Sequence, residues 1–160
     1  MGEFRIGHGY DVHRFDSTRP LILGGVHIPS HAGLLGHSDA DVLTHAVMDA
    51  LLGAAGLRDI GYYFPDSASE YKGADSLKLA SIVSDMLYDK GFRVVNIDST
   101  VIAQSPKLSP FIEKMKLSLA AALNVDVDRV NIKATTEEGL GFTGEKLGIA
   151  AHAVALIESI

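Results

Sequence analysis

The chain predicts an α/β or α+β sandwich, and three observations carry that prediction. Helical periodicity appears in three separate stretches, and strand-like segments precede, separate and follow them. No internal repeat, low-complexity tract or linker interrupts the 160 residues, so residues 1–160 are expected to form one domain. A hydrophobic fraction of 47% and a charged fraction of 21% belong to an ordinary globular protein.

From Phe4 to Phe15 the residues alternate as in a strand, with Gly7 and Gly9 placed where backbone must approach something closely. Leu21 to Ile28 reads as a hairpin turning at Gly24-Gly25. Asp39 to Ala55 reads as an amphipathic helix lined by Val42, Leu43, Ala46, Val47, Ala50, Leu51 and Ala54, with Gly56 as its stop. Asp75 to Lys90 reads as a second helix, with Leu77, Ala80, Val83 and Leu87 inward, and Phe92 to Ala103 as a long strand. Ser109 is expected to cap a third helix with Pro110 at its first position, packing Ile112, Met115, Leu119 and Ala122. Arg129 to Thr136 reads as another strand. Ile149 to Ile157 suits helix or strand, and the alternation of Ala151, Ala153 and Ala155 with His152, Val154 and Leu156 favours a strand.

Composition excludes several function classes. A net charge of -6 argues against a nucleic-acid surface, which needs a basic stripe. It does not argue against an anionic small molecule, because metal ions and backbone N–H groups bind phosphate locally. No apolar run reaches the length of a membrane span and the first residues lack a signal-peptide core, so a cytoplasmic protein with no membrane partner is expected. With no cysteine, any metal must be held by histidines and carboxylates.

Those groups cluster. Four of the seven histidines, His8, His13, His37 and His45, lie in two short segments. On a strand Asp11 and His13 share a face, and on a helix Asp41, His45 and Asp49 form one stripe. Taken singly, Asp11 and His13 are a strand-face hydrogen-bond pair and His45 a half-buried helix histidine. Meeting between strand and helix they would make a three-ligand zinc site with an open fourth position, and Asp41 or Asp49 is expected to orient His45. His37 and Ser38 precede the helix, where unpaired N–H groups attract anions, although Ser38 or Asp39 would serve equally as a cap. Asp59-Ile60-Gly61 and Phe64-Pro65-Asp66-Ser67-Ala68 read as turn chemistry, and also suit a lid over a ligand. Ala103-Gln104-Ser105-Pro106-Lys107 ends a strand. The run from Lys133 through Thr135, Thr136, Glu137 and Glu138 to Gly144 suits phosphate oxygens and a hard cation, or a glycine-rich loop.

Six ordered blocks now resemble one family across nearly the whole chain: residues 5–13, 36–61, 64–67, 72–76, 102–107 and 133–144. The family is that of the 2-C-methyl-D-erythritol 2,4-cyclodiphosphate synthases, ring-closing enzymes of the non-mevalonate isoprenoid pathway. The resemblance implies a mixed β-sheet with about three helices on one face, assembled as a homotrimer with active sites between subunits. It implies intramolecular attack of the 2-phosphate of 4-diphosphocytidyl-2-C-methyl-D-erythritol 2-phosphate on its β-phosphate, with loss of CMP. Asp11, His13 and His45 would hold one Zn²⁺ per subunit, and Glu138 a second divalent ion, Mg²⁺ or Mn²⁺. His37 and Thr136 would stabilise the transition state, and His37, Ser38, Thr135, Thr136, Glu137, Glu138, Asp11 and His13 would meet phosphate and erythritol oxygens. Asp59, Ile60 and Gly61 would meet the ribose or its neighbour, and Phe64, Pro65, Asp66, Ser67 and Ala68 would close over the erythritol. Ala103, Gln104, Ser105, Pro106, Lys107, Leu108 and Ser109 would frame the cytosine from the neighbouring subunit.

Beside Phe142 the chain departs from the family. Glu145, followed by Lys146, stands where an arginine typically faces the trimer cavity, and Glu137 stands where threonine is common. Three glutamates around an axis repel an anion, so, unless Lys146 turns inward, isothermal calorimetry is expected to detect weak or no binding of farnesyl diphosphate. Two other readings compete. A metal-dependent phosphohydrolase would give linear products carrying solvent oxygen, and a non-catalytic trimeric lipid carrier would unfold on losing its metal.

Overall fold

The structure, a computed structural model, describes residues 2–160. In chain order it contains strands β1 (Phe4–Asp16), β2 (Leu21–Leu23), β3 (Val26–Ile28) and β4 (Gly33–Leu34), then helices α1 (Val42–Ala54), α2 (Ile60–Tyr63) and α3 (Ser76–Asp89). Strand β5 (Phe92–Ile102), helix α4 (Ile112–Leu123), strand β6 (Val130–Thr135), helix α5 (Gly141–Gly144) and strand β7 (Gly148–Ser159) follow. The five-stranded sheet runs β4-β1-β7-β5-β6. It is mixed, because β5 and β6 are parallel whereas β7 pairs antiparallel with both β1 and β5. The hairpin β2–β3 turns at Gly24 and Gly25, both at positive φ.

Residues with inward parity on β1, β7, β5 and β6 meet the helices, and α1 lies across β1 and β7. Gly7 and Gly9 let α1 approach. A Cβ on Gly9 would lie 1.9 Å from the Ala46 carbonyl oxygen, and one on Gly7 would lie 2.0 Å from that of Ala50. The opposite face of β1 is bare, with Phe4 58% and Ile6 71% exposed and Tyr10, Val12 and Val154 exposed beside them. Among the described residues, no helix is long and apolar enough to cross a membrane.

Several expectations need correction. The first helix begins at Val42, because Ala40 has a φ of 56° and Asp41 caps the helix by accepting from Thr44 N. That helix is central, with every residue but Asp49 and Gly53 buried, since α3 covers the side that the sheet does not. The third helix is not capped by Ser109; a 3-10 turn over Ser109–Phe111 leads into α4 without a side-chain cap. The expected loop at 59–68 and the end of the 133–144 run each contain one helical turn, α2 and α5. The last apolar stretch is a strand, as its alternation predicts, and it lies in the middle of the sheet.

Candidate metal centre

Asp11 and His13 follow Gly7 and Gly9 on the helix-covered face of β1, and His45 immediately precedes Ala46, the residue against which Gly9 packs. The close approach of α1 therefore delivers His45 to the carboxylate. His13 Nε2 and His45 Nδ1 each lie 3.0 Å from Asp11 Oδ2, and 3.4 Å from one another. A tetrahedral ion about 2.0–2.1 Å from each donor separates its ligand atoms by about 3.3 Å, so this donor set fits zinc. Among the described residues this is the one group of His, Asp and Glu side chains converging in that way.

The triad is electrostatically coupled. Burial pushes the Asp11 carboxyl up, but hydrogen bonds and charge from His13 and His45 outweigh it and hold Asp11 at about 2. Burial depresses His13, yet the Asp11 carboxylate and the Leu35 carbonyl outweigh it and raise its pKa above the usual value of 6.5. Without metal, His13 therefore keeps its proton to higher pH than a free histidine, and an incoming ion must displace that proton. Zinc affinity is expected to fall with decreasing pH, starting above pH 6.5, with proton release on binding. Calorimetry in buffers of different ionisation enthalpy measures that release, and a pH-independent affinity between pH 6 and 8 would refute it.

The residues orienting the histidines differ from those that helical spacing suggests. Neither the Asp41 nor the Asp49 carboxylate hydrogen-bonds to the His45 ring. Asp41 is buried and accepts from Gly24 N, Gly25 N, Thr44 N and Thr44 Oγ1, tying the β2–β3 turn to α1. Burial, opposed by these bonds, raises its pKa. Asp49 accepts from Ile60 N and fixes the start of α2. His13 Nδ1 lies 2.7 Å from the Leu35 carbonyl, and His45 Nε2 meets Ser76 Oγ at 2.9 Å and Ser38 Oγ at 3.2 Å. Ser76 belongs to the residue 72–76 block noted in the sequence, but nothing in its spacing points to a histidine 31 residues away. Arg19 is a second contributor that spacing does not reveal. Its guanidinium donates to the carbonyls of Gly36 and Ser38, bracketing His37.

A cavity of about 430 Å³ opens at the triad. Its walls bring together Asp11, His13, His37, Ser38, His45, Ile60, Gly61, Phe64, Pro65, Asp66 and Ser67, with Met48, Tyr71 and Leu79 added. Ala68 stands just behind, its carbonyl 3.2 Å from His37 Nε2, and Asp59 caps α2 by accepting from Tyr62 N.

The remaining candidates form a second group. Ile102, Thr135, Ala150 and Asp11 share one end of the sheet, but Thr135 projects from the face opposite Asp11 and stands three strands away, about 14 Å across the sheet. Ala103 N donates to the Thr135 carbonyl, and Gln104 Oε1 accepts from Gly139 N, so residues 103–104 and 135–139 are bound to each other. Thr136 Oγ1 accepts from Glu138 N, and Glu138 is exposed at a φ of 54°. Glu137 accepts from the buried Thr143 hydroxyl, which makes it a tether between this loop and α5. Ser105, Pro106 and Lys146 border a separate groove with Phe15 and residues 29–32. Lys107, Ser109, Phe142 and Glu145 are exposed, and Leu108 is buried. None of this group lines the metal-centre cavity.

The model of the YgbB family matches residues 4–158, which is nearly the whole chain and takes in both groups of site residues. The chain belongs to the YgbB family. A family relative from Clostridioides difficile, 2-C-methyl-D-erythritol 2,4-cyclodiphosphate synthase, is 60% identical over 153 residues, covering 96% of this chain and 95% of its own. The bifunctional IspDF from Campylobacter jejuni shares this YgbB-family fold with a TM-score of 0.96 and 45% identity. It covers 100% of this chain, which spans 43% of that longer protein. The IspF of Plasmodium falciparum, solved as a CDP complex, has a TM-score of 0.86 at 34% identity, covering 99% of this chain and 98% of that one.

Proposed function

We propose that this chain converts 4-diphosphocytidyl-2-C-methyl-D-erythritol 2-phosphate to 2-C-methyl-D-erythritol 2,4-cyclodiphosphate and CMP. The observation that carries the reading is the triad of donors at 3.0, 3.0 and 3.4 Å, opening on a cavity, in a chain 60% identical to an enzyme of that name. In the reaction an oxygen of the 2-phosphate bonds to the β-phosphorus, and the bond from that phosphorus to the bridging oxygen breaks. The bridging oxygen leaves with CMP. A phosphate nucleophile is already ionised near neutral pH, so no strong general base is needed, and the work is positioning and charge stabilisation.

Asp11, His13 and His45 would hold Zn²⁺, which would supply a Lewis acid, and Glu138 would hold Mg²⁺ or Mn²⁺, which would offset phosphate charge. His37 and Ser38, at the cavity wall, hold phosphate and erythritol oxygens, and Arg19 fixes the backbone that carries them. Thr136 contributes the matching hydroxyl from the second group. The segment from Phe64 to Ala68 closes the cavity against water, which would otherwise hydrolyse the diphosphate. Residues 103–109 receive the cytosine, and the CDP complex of the Plasmodium falciparum relative supports a cytidine nucleotide as the ligand.

Within one chain the two groups of residues do not meet, and the outer face of the sheet bares Phe4, Ile6, Tyr10, Val12 and Val154. Both facts support a homotrimer in which the sheets face inward and each cavity is completed by the neighbour's 103–109 and 135–138 segments. Light scattering is expected to give three times the 17.0 kDa chain mass. The function is tested by supplying the diphosphocytidyl substrate with Zn²⁺ and Mg²⁺ in ¹⁸O-labelled water. CMP with an unlabelled cyclic diphosphate is the expected outcome. A linear, labelled product would assign a hydrolase, and no CMP from metal-loaded protein would sink the assignment.

A further inference from the structure

We propose that Ser76 and Asp39 are positioning residues of the metal centre, selecting the ring tautomer of His45 that leaves Nδ1 free to bind the ion. The inference rests on the reading of Asp11, His13 and His45 as ligands.

Ser76 is fully buried at the first position of α3. Its hydroxyl lies 2.9 Å from His45 Nε2 and is also hydrogen-bonded to Asp39 Oδ1. A hydroxyl has one proton to give. Both Asp39 oxygens are acceptors here, Oδ2 from Ser76 N at 2.9 Å and Oδ1 from Asp41 N at 3.1 Å, so the Ser76 proton points at Asp39. The Ser76 lone pair then faces His45 and accepts from Nε2–H. A neutral imidazole protonated at Nε2 has its lone pair on Nδ1, the atom 3.0 Å from Asp11 Oδ2. His13 is oriented by the opposite arrangement, in which Nδ1–H donates to the Leu35 carbonyl and Nε2 faces the triad. Each histidine thus has an outer partner, one from main chain and one from a hydroxyl–carboxylate relay.

Asp39 is itself held. Its N–H donates to the Ala74 carbonyl, and its carboxylate binds both polar groups of Ser76. The segment before α1 and the first turn of α3 are therefore clamped together at the place where they meet His45. Ser38 also approaches Nε2, at 3.2 Å, but it lines the cavity and accepts from Ala40 N, which leaves the buried Ser76 as the partner shielded from ligand.

Ser76→Ala is expected to weaken zinc binding about 10- to 100-fold in competition with a chromogenic chelator, and Ser76→Thr, which keeps the hydroxyl, to recover most of it. In the wild-type zinc protein, ¹⁵N spectra of the histidine rings are expected to show a protonated Nε2 and a metal-bound Nδ1 for His45. A purely structural role for Ser76 would lower the melting temperature of Ser76→Ala without moving the zinc affinity. Equal affinities in wild type and Ser76→Ala, or Nε2 ligation of His45, would overturn the proposal while leaving the metal centre intact. Wild-type protein that binds no zinc would remove the metal reading and this one with it. The wild-type ring spectrum decides the question even if Ser76→Ala does not fold.

Discussion

His45→Ala is expected to lose stoichiometric zinc and to lower CMP release by at least about a thousand-fold, the upper range for removing one group that stabilises a transition state. His45 is one of three donors around a single point, and its loss leaves Asp11 and His13 as a two-donor pair. Removing a residue that merely orients a ligand costs 10- to 100-fold in metal affinity, so removing the ligand costs more. The fold should survive. His45 lies on the cavity side of α1, and the neighbouring apolar residues Val42, Ala46 and Met48 keep their own packing. Metal analysis on the purified variant and a CMP-release assay check the two halves of the prediction. A variant that keeps one zinc per chain, or a tenth of the activity, would contradict the assignment of His45 as a ligand.

Gly9→Ala is expected to be the most damaging change outside the ligands, costing more than about 3 kcal/mol, beyond the usual range for overpacking. The added Cβ would sit 1.9 Å from the Ala46 carbonyl oxygen and 2.8 Å from Ala50 N. Both are main-chain atoms of a helix buried on nearly every side, so no rotamer change relieves the contact, and either β1 or α1 must shift. A shift of α1 away from β1 carries His45 from Asp11, so zinc affinity falls together with stability. Urea unfolding of the metal-free protein measures the first effect and chelator competition the second. A variant within 1 kcal/mol of wild type would show that the helix–strand contact is looser than the structure implies.

Much of the fold was legible because its signals are local. Alternation points to β1 and β7, and the Gly-Gly turn to the β2–β3 hairpin. Asp11 and His13 share a face by strand parity, and the two glycines before them foretold a close approach that brings His45 in. What stayed hidden depends on distant contacts. Spacing placed Asp41 on the stripe of His45, but the helix starts one residue after it, and its carboxylate serves the Gly24-Gly25 turn instead. Ser76 and Asp39 meet across 37 residues, and Arg19 reaches the His37 loop through two backbone carbonyls, neither of which leaves a periodic trace. The separation of residues 103–109 and 135–138 from the metal centre follows from strand order and face.

Strand β7 separates β1 from β5, and Phe4 pairs with Glu158 across almost the whole span of the chain. A ribosome therefore releases Asp11, His13 and His45 long before their scaffold can close. Until residues 148–159 emerge, the only strand partner β1 has is β4, at Phe15 and Asp16. Such long-range pairing makes for slow folding. A metal centre at Asp11, His13 and His45 would thus rest on a strand that contributes no ligand to it.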